Sequence, residues 1–377
     1  GVVEPVARAR SLDAGFDGRV TALSYASVRM LRTLAIWPHL QDDAQPILDI
    51  LVTDAAAGRP PSPLSLHFDA GEIGEPMGYI VENRHIRAAL FAVADKVPGL
   101  ELLSPLAVER ANPAAEHIDA SLSDGGTVQA RLLVAADGRE SRLREEIGIA
   151  IIGWSYPQWG IVATVAHERA HHGTAYEHFL PSGPFAILPM TGNRSSLVWT
   201  ERADLAPHYM NLPADEFDAE VARRFGAHLG ATTVIGPRWS YPLKFHLARD
   251  YVKPRFALVG DAAHGIHPIA GQGFNLGLKD VAALAECVLD GARLGLDIGS
   301  LDILKRYERW RRFDATLMGM TMDAFNRIFS NDIAPLRAVR DLGMGLVDQI
   351  GPLRRFLMRN AGGTVGKLPR LLRGDAA

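Results

Sequence analysis

Along residues 19–40, RVTALSYASVRMLRTLAIWPHL, apolar Val28, Leu31, Leu34 and Ala35 recur at helical spacing, which predicts a helix stopping at Trp37-Pro38. From 47 to 81 the texture changes to short alternating pieces, ILDILVTDA, LSLHF and MGYIV, parted by Gly and Pro, and these read as strands. Residues 83–97 are helical again, with Ile86, Leu90, Ala94 and Val97 on one face. GLELLSPLAVERA then reads as a strand, followed by a hairpin turning at Asp124-Gly125-Gly126 and an apolar strand over Leu132 to Ala136. Between 151 and 245 the pattern is mostly β, as in GIVATVA, AYEHFL, FAILPM and SSLVWT, with one helix near 213–229. Beyond about residue 274 it is helical to the end, except for loops at 295–300, 331–335 and 362–366. Strands and helices at both ends of a β-rich middle predict an α/β domain that the chain leaves and re-enters, with a separate sheet domain packed against it. Ligands in such arrangements sit between the domains.

Composition narrows the function classes. The chain has 377 residues, 47% hydrophobic and 22% charged, enough for two or three domains with a real core. A formal net charge of −3 gives no general attraction to nucleic acid. The single cysteine, Cys287, excludes an internal disulfide framework and a multi-Cys metal site and reads as a small buried residue on a helix. There is no apolar run of roughly 18 residues and no signal-peptide pattern, so the expected location is the cytoplasm.

The candidate chemistry lies in ALVGDAAHGIHPIAGQGFNLGLKDVAALAE, residues 257–286. FALV, ending just before Gly260, reads as a buried strand; the residues after Phe274 have helix composition, with Leu278, Val281, Ala282 and Ala285 on the apolar side. A Gly-rich loop between a strand end and a helix N-terminus is an anion site, because unpaired N–H groups and the positive end of the helix dipole converge there. Gly271 and Gly273 let the backbone approach a planar ligand. Asp261 cannot pair with phosphate but can accept hydrogen bonds from sugar hydroxyls, so a ligand carrying both polyol and phosphate is implied.

GDAAHGIHPIAGQGFNLGLKD resembles the second flavin-binding motif of the class A FAD-dependent aromatic hydroxylases, specifically the ubiquinone-biosynthesis hydroxylase branch. VAADGRESRLRE resembles the family's Asp-Gly motif, with Asp137, Gly138, Ser141 and Arg144 in register. RVTALSYAS, from Arg19, resembles the segment whose arginine lies against the flavin, and AYEHFLPSGPFAILPM resembles a strand pair of the substrate domain. The resemblance runs from about residue 1 to about 355, with the motifs in family order, a far more specific signal than a lone Gly-rich loop. It implies an α/β, Rossmann-like FAD-binding domain that is discontinuous (1–48, 82–150 and 246–300), an inserted mixed β-sheet substrate domain (49–81 and 151–245), and C-terminal helices with a basic tail (301–377).

The same resemblance implies residue roles. Asp261 would contact the ribityl chain, while Gly271, Gln272, Gly273, Phe274 and Asn275 would present backbone to the isoalloxazine. Arg19 would sit near the pyrophosphate or ribityl region, and Asp137 belongs to the FAD-binding set through its motif. Asn83 occupies a position where relatives place Arg or Gln on the flavin; Arg84 is the rival if the register slips by one, and Asn83 equally suits a helix N-cap. The family's G-x-G-x-x-G unit is missing, although VVE near the start matches the end of its second strand, making Glu4 the ribose acid. By that register roughly 30 residues of strand, turn and helix are absent upstream, so the chain reads as a fragment expected to fold poorly or bind FAD weakly.

Two motifs act as decoys. HERAH at 167–171 matches a zinc-protease signature, but IVATV before it is strand-like and Gly173 follows closely, so the required helix is lacking. GGTVGKL at 362–368 lacks the spacing and the Ser or Thr of a phosphate-binding loop. His264 and His267 flank the Gly-rich loop and read as structural or loop-capping groups.

By resemblance, FAD reduced by NAD(P)H reacts with O2 to form a C4a-hydroperoxide that oxygenates an electron-rich ring, and the substrate is a polyprenylated phenol. No protein acid or base is identified. The tail interleaves Arg354, Arg355, Arg359, Lys367, Arg370 and Arg373 with Leu and Phe, a pattern that suits an anionic bilayer on the inner face of the cytoplasmic membrane, another ubiquinone-biosynthesis protein, or simply a solvated helix face. The alternative function is a non-catalytic scaffold in the same biosynthetic assembly.

Overall fold

The computed structural model describes residues 1–55, 65–330 and 347–376. Its largest element is an eight-stranded sheet in the order His264–Gly265, Thr232–Ala248, Ile151–His167, Arg194–Arg202, Gly183–Met190, Thr174–Leu180, Asp49–Asp54 and Ser65–Asp69. Pairing is antiparallel except between Thr174–Leu180 and Asp49–Asp54, where Glu177 stands opposite Val52. Successive side chains alternate across the sheet. Ile161, Val165, Phe185, Ile187, Leu197 and Trp199 bury one face beneath Phe217, Val221 and Phe225 of the helix Ala214–Phe225. The other face, carrying Val162, Ala175, Glu177, Ala186, Leu188 and Val198, lines a cavity.

A second layer is α/β. Leu133–Ala135 pairs in parallel with Phe256–Leu258, and Val252–Lys253 extends that sheet antiparallel. Leu258, Ala283, Leu284, Cys287, Leu304 and Tyr307 share the core between it and the helices Gly273–Arg293 and Leu301–Phe329. Val2–Val3 runs parallel to Leu102–Leu103 in a separate two-stranded sheet. The hairpin lies where Asp124-Gly125-Gly126 place it: Gly125 has φ +87°, and the Asp124 carboxylate accepts from the Gly126 N–H at 2.9 Å.

Three helical expectations are corrected. Residues 20–24 form a strand paired with Gly78–Glu82, and the helix spans only Tyr25–Thr33. Ser24 sets that start, because its Oγ accepts from the Ser27 N–H, while β-branched Val20 and Thr21 suit the ladder upstream. The helix Asn83–Ala94 ends short of exposed Val97; it buries Ile86 and Ala89 and leaves Leu90 exposed, since the stripe packed with Val28 and Leu31 is Ile86, Ala89 and Val93. Gly273–Arg293 exposes Val281 and instead buries Leu276, Asp280, Ala283 and Cys287.

The predicted loop at 331–335 lies outside the described residues, whereas those at 295–300 and 362–366 are present. The tail is packed. Leu371 and Leu372 are buried against Ala26, Met30 and Ala282, Arg354 pairs with Glu72, Arg370 pairs with Asp290, and Lys367 lies over the Trp310 ring. No helix among the described residues is long and apolar enough to cross a membrane.

Candidate active site

The cavity, of about 1230 Å³, lies between the open face of the large sheet, the strand Val20–Ser24, the loop 266–275 and the ends of two helices. Its roof comes from Met322, Phe325, Ile328 and Phe329 of Leu301–Phe329 and from Leu357 and Met358 of Gly351–Ala361. Apolar side chains dominate the wall, as suits a greasy ligand with a few placed polar groups.

The Gly-rich segment enters from Phe256–Leu258 and turns through Gly260, whose φ of +60° favours glycine. The helix Gly273–Arg293 then rests directly on this turn: a Cβ on Gly277 would lie 3.2 Å from the Gly260 Cα. Gly271 also has positive φ, +61°, and a Cβ there would stand 3.2 Å from the Ala22 Cβ. A Cβ on Gly273 would meet nothing within 4 Å, so the backbone at the helix start is bare toward the cavity.

Two buried polar residues hold the segment in place. Asn275 Oδ1 accepts from the Ser24 N–H and the Ser27 hydroxyl, each at 2.8 Å, and Nδ2 donates to the Ala22 carbonyl at 2.9 Å. Asp280 accepts from the Gly260 N–H at 3.0 Å, His264 Nε2 at 2.5 Å and Arg311 Nε at 2.8 Å. Burial works to raise the Asp280 pKa, but His264 and Arg311 hold it below the ordinary carboxylate value.

Arg19, Asn83, Asp261, Gly271, Gln272, Gly273, Phe274 and Asn275 all line the cavity. Arg19 is braced by Asp17 at 2.7 Å, and Asn83 Oδ1 accepts from the Thr21 hydroxyl at 2.7 Å. Arg84 pairs with Glu82 and donates to the Ala14 carbonyl, away from the wall that Asn83 joins. Glu4 and Asp137 are not on this wall. The Glu4 carboxylate accepts from the Val6 N–H at the end of Val2–Val3. Asp137 accepts from the Ser141 hydroxyl at 2.5 Å and from the Leu143 N–H, fixing the cap of Arg142–Glu146. From that helix, buried Arg144 donates to the Ala262 carbonyl at 3.0 Å, so the Asp-Gly motif buttresses the Gly-rich turn from behind.

Two wall residues escaped the sequence reading. Arg139, inside the Asp-Gly motif, approaches Asp261 at 3.5 Å, and its position between Asp137 and Ser141 was the available signal. Glu177 projects from the sheet, and burial pushes its carboxyl up to about 8. Between the ordinary carboxyl value of 4.5 and about 8, the unfolded chain releases this proton while the folded chain keeps it, so stability falls as pH rises through that window. Thermal melts of E177Q should therefore show a Tm gain of roughly a few degrees that grows from acidic to mildly alkaline pH. A gain independent of pH would contradict the assignment.

The decoy histidines have structural partners. His167 ends a strand and bonds the Arg169 carbonyl and Ser195 Oγ; His171 bonds the Met190 carbonyl, and Glu168 accepts from the Ala231 N–H. His267 is fully buried edge-on to Tyr156, and burial pulls its pKa down to about 4.

The residues present fit the ring and ribityl portion of FAD: a bare helix start, glycines where side chains would intrude, and the Asp261 carboxylate at the strand's end. Residues 79–315 match the family described as FAD binding domain. The chain is 53% identical to the ubiquinone hydroxylase UbiL of Rhodospirillum rubrum over 96% of its own length and 84% of that protein's. It is 33% identical to the 3-demethoxyubiquinol 3-hydroxylase of Escherichia coli, covering 93% and 88% of the two chains. It is also 31% identical to the human mitochondrial ubiquinone biosynthesis monooxygenase COQ6, over 92% and 82%. In fold it is similar to the p-nitrophenol 4-monooxygenase PnpA of Pseudomonas putida, with a TM-score of 0.77, 16% identity and 97% and 99% coverage. With Gly-rich loop, cavity and relatives in agreement, the chain belongs to the FAD-binding-domain family, in the ubiquinone-hydroxylase branch of the class A flavin hydroxylases.

Proposed function

We propose that this protein is a flavin-dependent monooxygenase that hydroxylates the aromatic ring of a polyprenylated phenol in ubiquinone biosynthesis. The observation that carries the reading is the continuity of the Gly-rich helix start with a large, mainly apolar cavity. Bound there, FAD supplies O2 activation, with NAD(P)H as reductant. The chain's own contribution is binding, orientation and exclusion of water. Asp261, with Arg139 beside it, would hold ribityl hydroxyls; the backbone of Gly271, Gln272, Gly273, Phe274 and Asn275 would face the ring system, and Arg19 and Asn83 would close the same wall. Glu4 is assigned to the ribose, and Asp137 to holding the turn through Ser141 and Arg144.

The proposed division into an FAD-binding part (1–48, 82–150 and 246–300), a substrate part (49–81 and 151–245) and a C-terminal part (301–377) puts the cavity at their junction. A lipid-tailed substrate favours delivery from the inner face of the cytoplasmic membrane or from neighbouring proteins of the pathway. Exposed Phe325, Ile328 and Phe356 near the roof support that route.

The test is reconstitution with FAD and NAD(P)H, the prenylated phenol being supplied in anionic liposomes. Expected are a yellow complex, a product heavier by one oxygen atom, and sedimentation of the protein with the vesicles. FAD binding without oxygenation would favour the scaffold reading, and protein left in the supernatant would remove the membrane route.

A further inference from the structure

The open face of the large sheet is built from small and apolar residues, with one acid among them. Glu177 lies between Val52 and Ala186 on the paired strands and between Ala175 and Phe179 on its own, and none of these carries a charge. The roof across the cavity is apolar, carrying Phe325, Ile328, Phe329 and Met358. The other charged groups of the wall are engaged elsewhere: Arg19 with Asp17, Arg139 with Asp261, and Lys244 with Glu140. Tyr176 turns its ring to the opposite face against His228, and Tyr241 lies beside Gly160. The Glu177 carboxyl itself has no hydrogen-bond or ion-pair partner among the described residues.

Its position relative to the Gly-rich loop follows from packing. Gly271 stands against Ala22, and Ala22 shares an apolar cluster with Ala175 and Leu188 of the sheet. Glu177 is two residues beyond Ala175, about 7 Å along the strand, roughly the span of one aromatic ring. A ring lying beside the loop would therefore present a substituent to Glu177.

We propose that Glu177 recognises the phenolic hydroxyl of the substrate and takes its proton as the ring is activated, an inference that rests on the hydroxylase reading above. The phenol O–H bond breaks, a Glu177 Oε–H bond forms, and the electron pair stays on the phenolate oxygen, enriching the ring carbons that receive oxygen. When the hydroxylated ring regains aromaticity, its C–H proton leaves to water, and Glu177 returns the held proton to the oxygen. Burial raises the Glu177 pKa to about 8, toward that of a phenol, ~10, so the transfer is nearer to balance than with an exposed carboxylate.

The test uses the FAD-loaded full chain, a short-tailed 2-prenylphenol and its O-methyl ether. Above about pH 8, where the Glu177 carboxyl is ionised, wild type should bind the phenol about tenfold or more tightly than the ether, the scale of a hydrogen bond to a charged group. Its hydroxylation rate should rise with pH through about 8. E177L should retain FAD and ether binding and lose the preference. E177Q should lose the alkaline rise and be slower on the order of a hundredfold, with E177D restoring part of the rise. An unchanged preference in E177L together with an unchanged pH profile in E177Q overturns the proposal. Wild type that holds FAD but binds neither compound overturns the hydroxylase reading and this inference with it.

Discussion

Replacing Asp280 with alanine is expected to destabilise the protein by about 3–5 kcal/mol, because it leaves the buried Arg311 guanidinium without its main counter-charge. Against a typical whole-protein stability of about 5–15 kcal/mol this is a large share. The Tm should fall on the order of 10 °C. Asp280 also accepts from the Gly260 N–H, so the turn that carries Asp261 loses its anchor and FAD affinity should fall with stability. The sign with pH follows from the lowered carboxyl. Its contribution is complete above the ordinary carboxylate value and is lost as pH falls through the depressed folded-state value, so wild type should be acid-labile where the variant is not. A D280A/R311M double variant should recover much of the loss, because a matched apolar pair has no orphaned charge. D280A melting within a degree or so of wild type would show that the network is dispensable.

N275A should have the second-largest effect, and it acts on the cofactor site more than on the core. Its removal strands the Ser24 N–H and the Ala22 carbonyl and leaves the Ser27 hydroxyl with only Ser24 Oγ, all in a water-poor junction. Each unsatisfied buried group costs about 1–3 kcal/mol. The strand Val20–Ser24 and the start of Gly273–Arg293 would separate, and the bare amides at 271–275 would no longer hold one geometry. Fluorescence titration should give a Kd for FAD weaker by at least about tenfold, from a loss of only ~1.4 kcal/mol. N275D keeps the acceptor but sets a charge against the Ala22 and Gly271 carbonyls, and should not rescue. Wild-type affinity in N275A would remove Asn275 from the positioning machinery.

Local chemistry carried much of this into the sequence. The Asp124-Gly125-Gly126 hairpin, the strands of the β-rich middle and the strand-loop-helix around Gly271 are set by residues that are neighbours in the chain. What local pattern could not reveal was decided by distant partners. Asp280 looks like a solvent residue on an amphipathic helix, and His264 together with Arg311, on the next long helix, makes its burial tolerable. Val20–Ser24 was absorbed into a helical pattern because its ladder partner, Gly78–Glu82, is far along the chain. Glu177 sits in an alternating strand, and alternation fixes that Ala175, Glu177 and Phe179 share a face without revealing whether that face meets water, core or cavity. The same limit applies to Arg139, whose neighbour Asp261 is contributed by another strand end.

The cavity's floor and its roof have separate origins in the chain. Floor residues belong to a ladder of paired strands that also positions Glu177, whereas Phe325 and Ile328 lie near the far end of Leu301–Phe329, several turns beyond Arg311, which anchors the glycine turn through Asp280. Bulk at Phe325 or Leu357 therefore reshapes the cavity from above without removing Arg311, Asp280 or Asn275, the groups that hold the glycine turn.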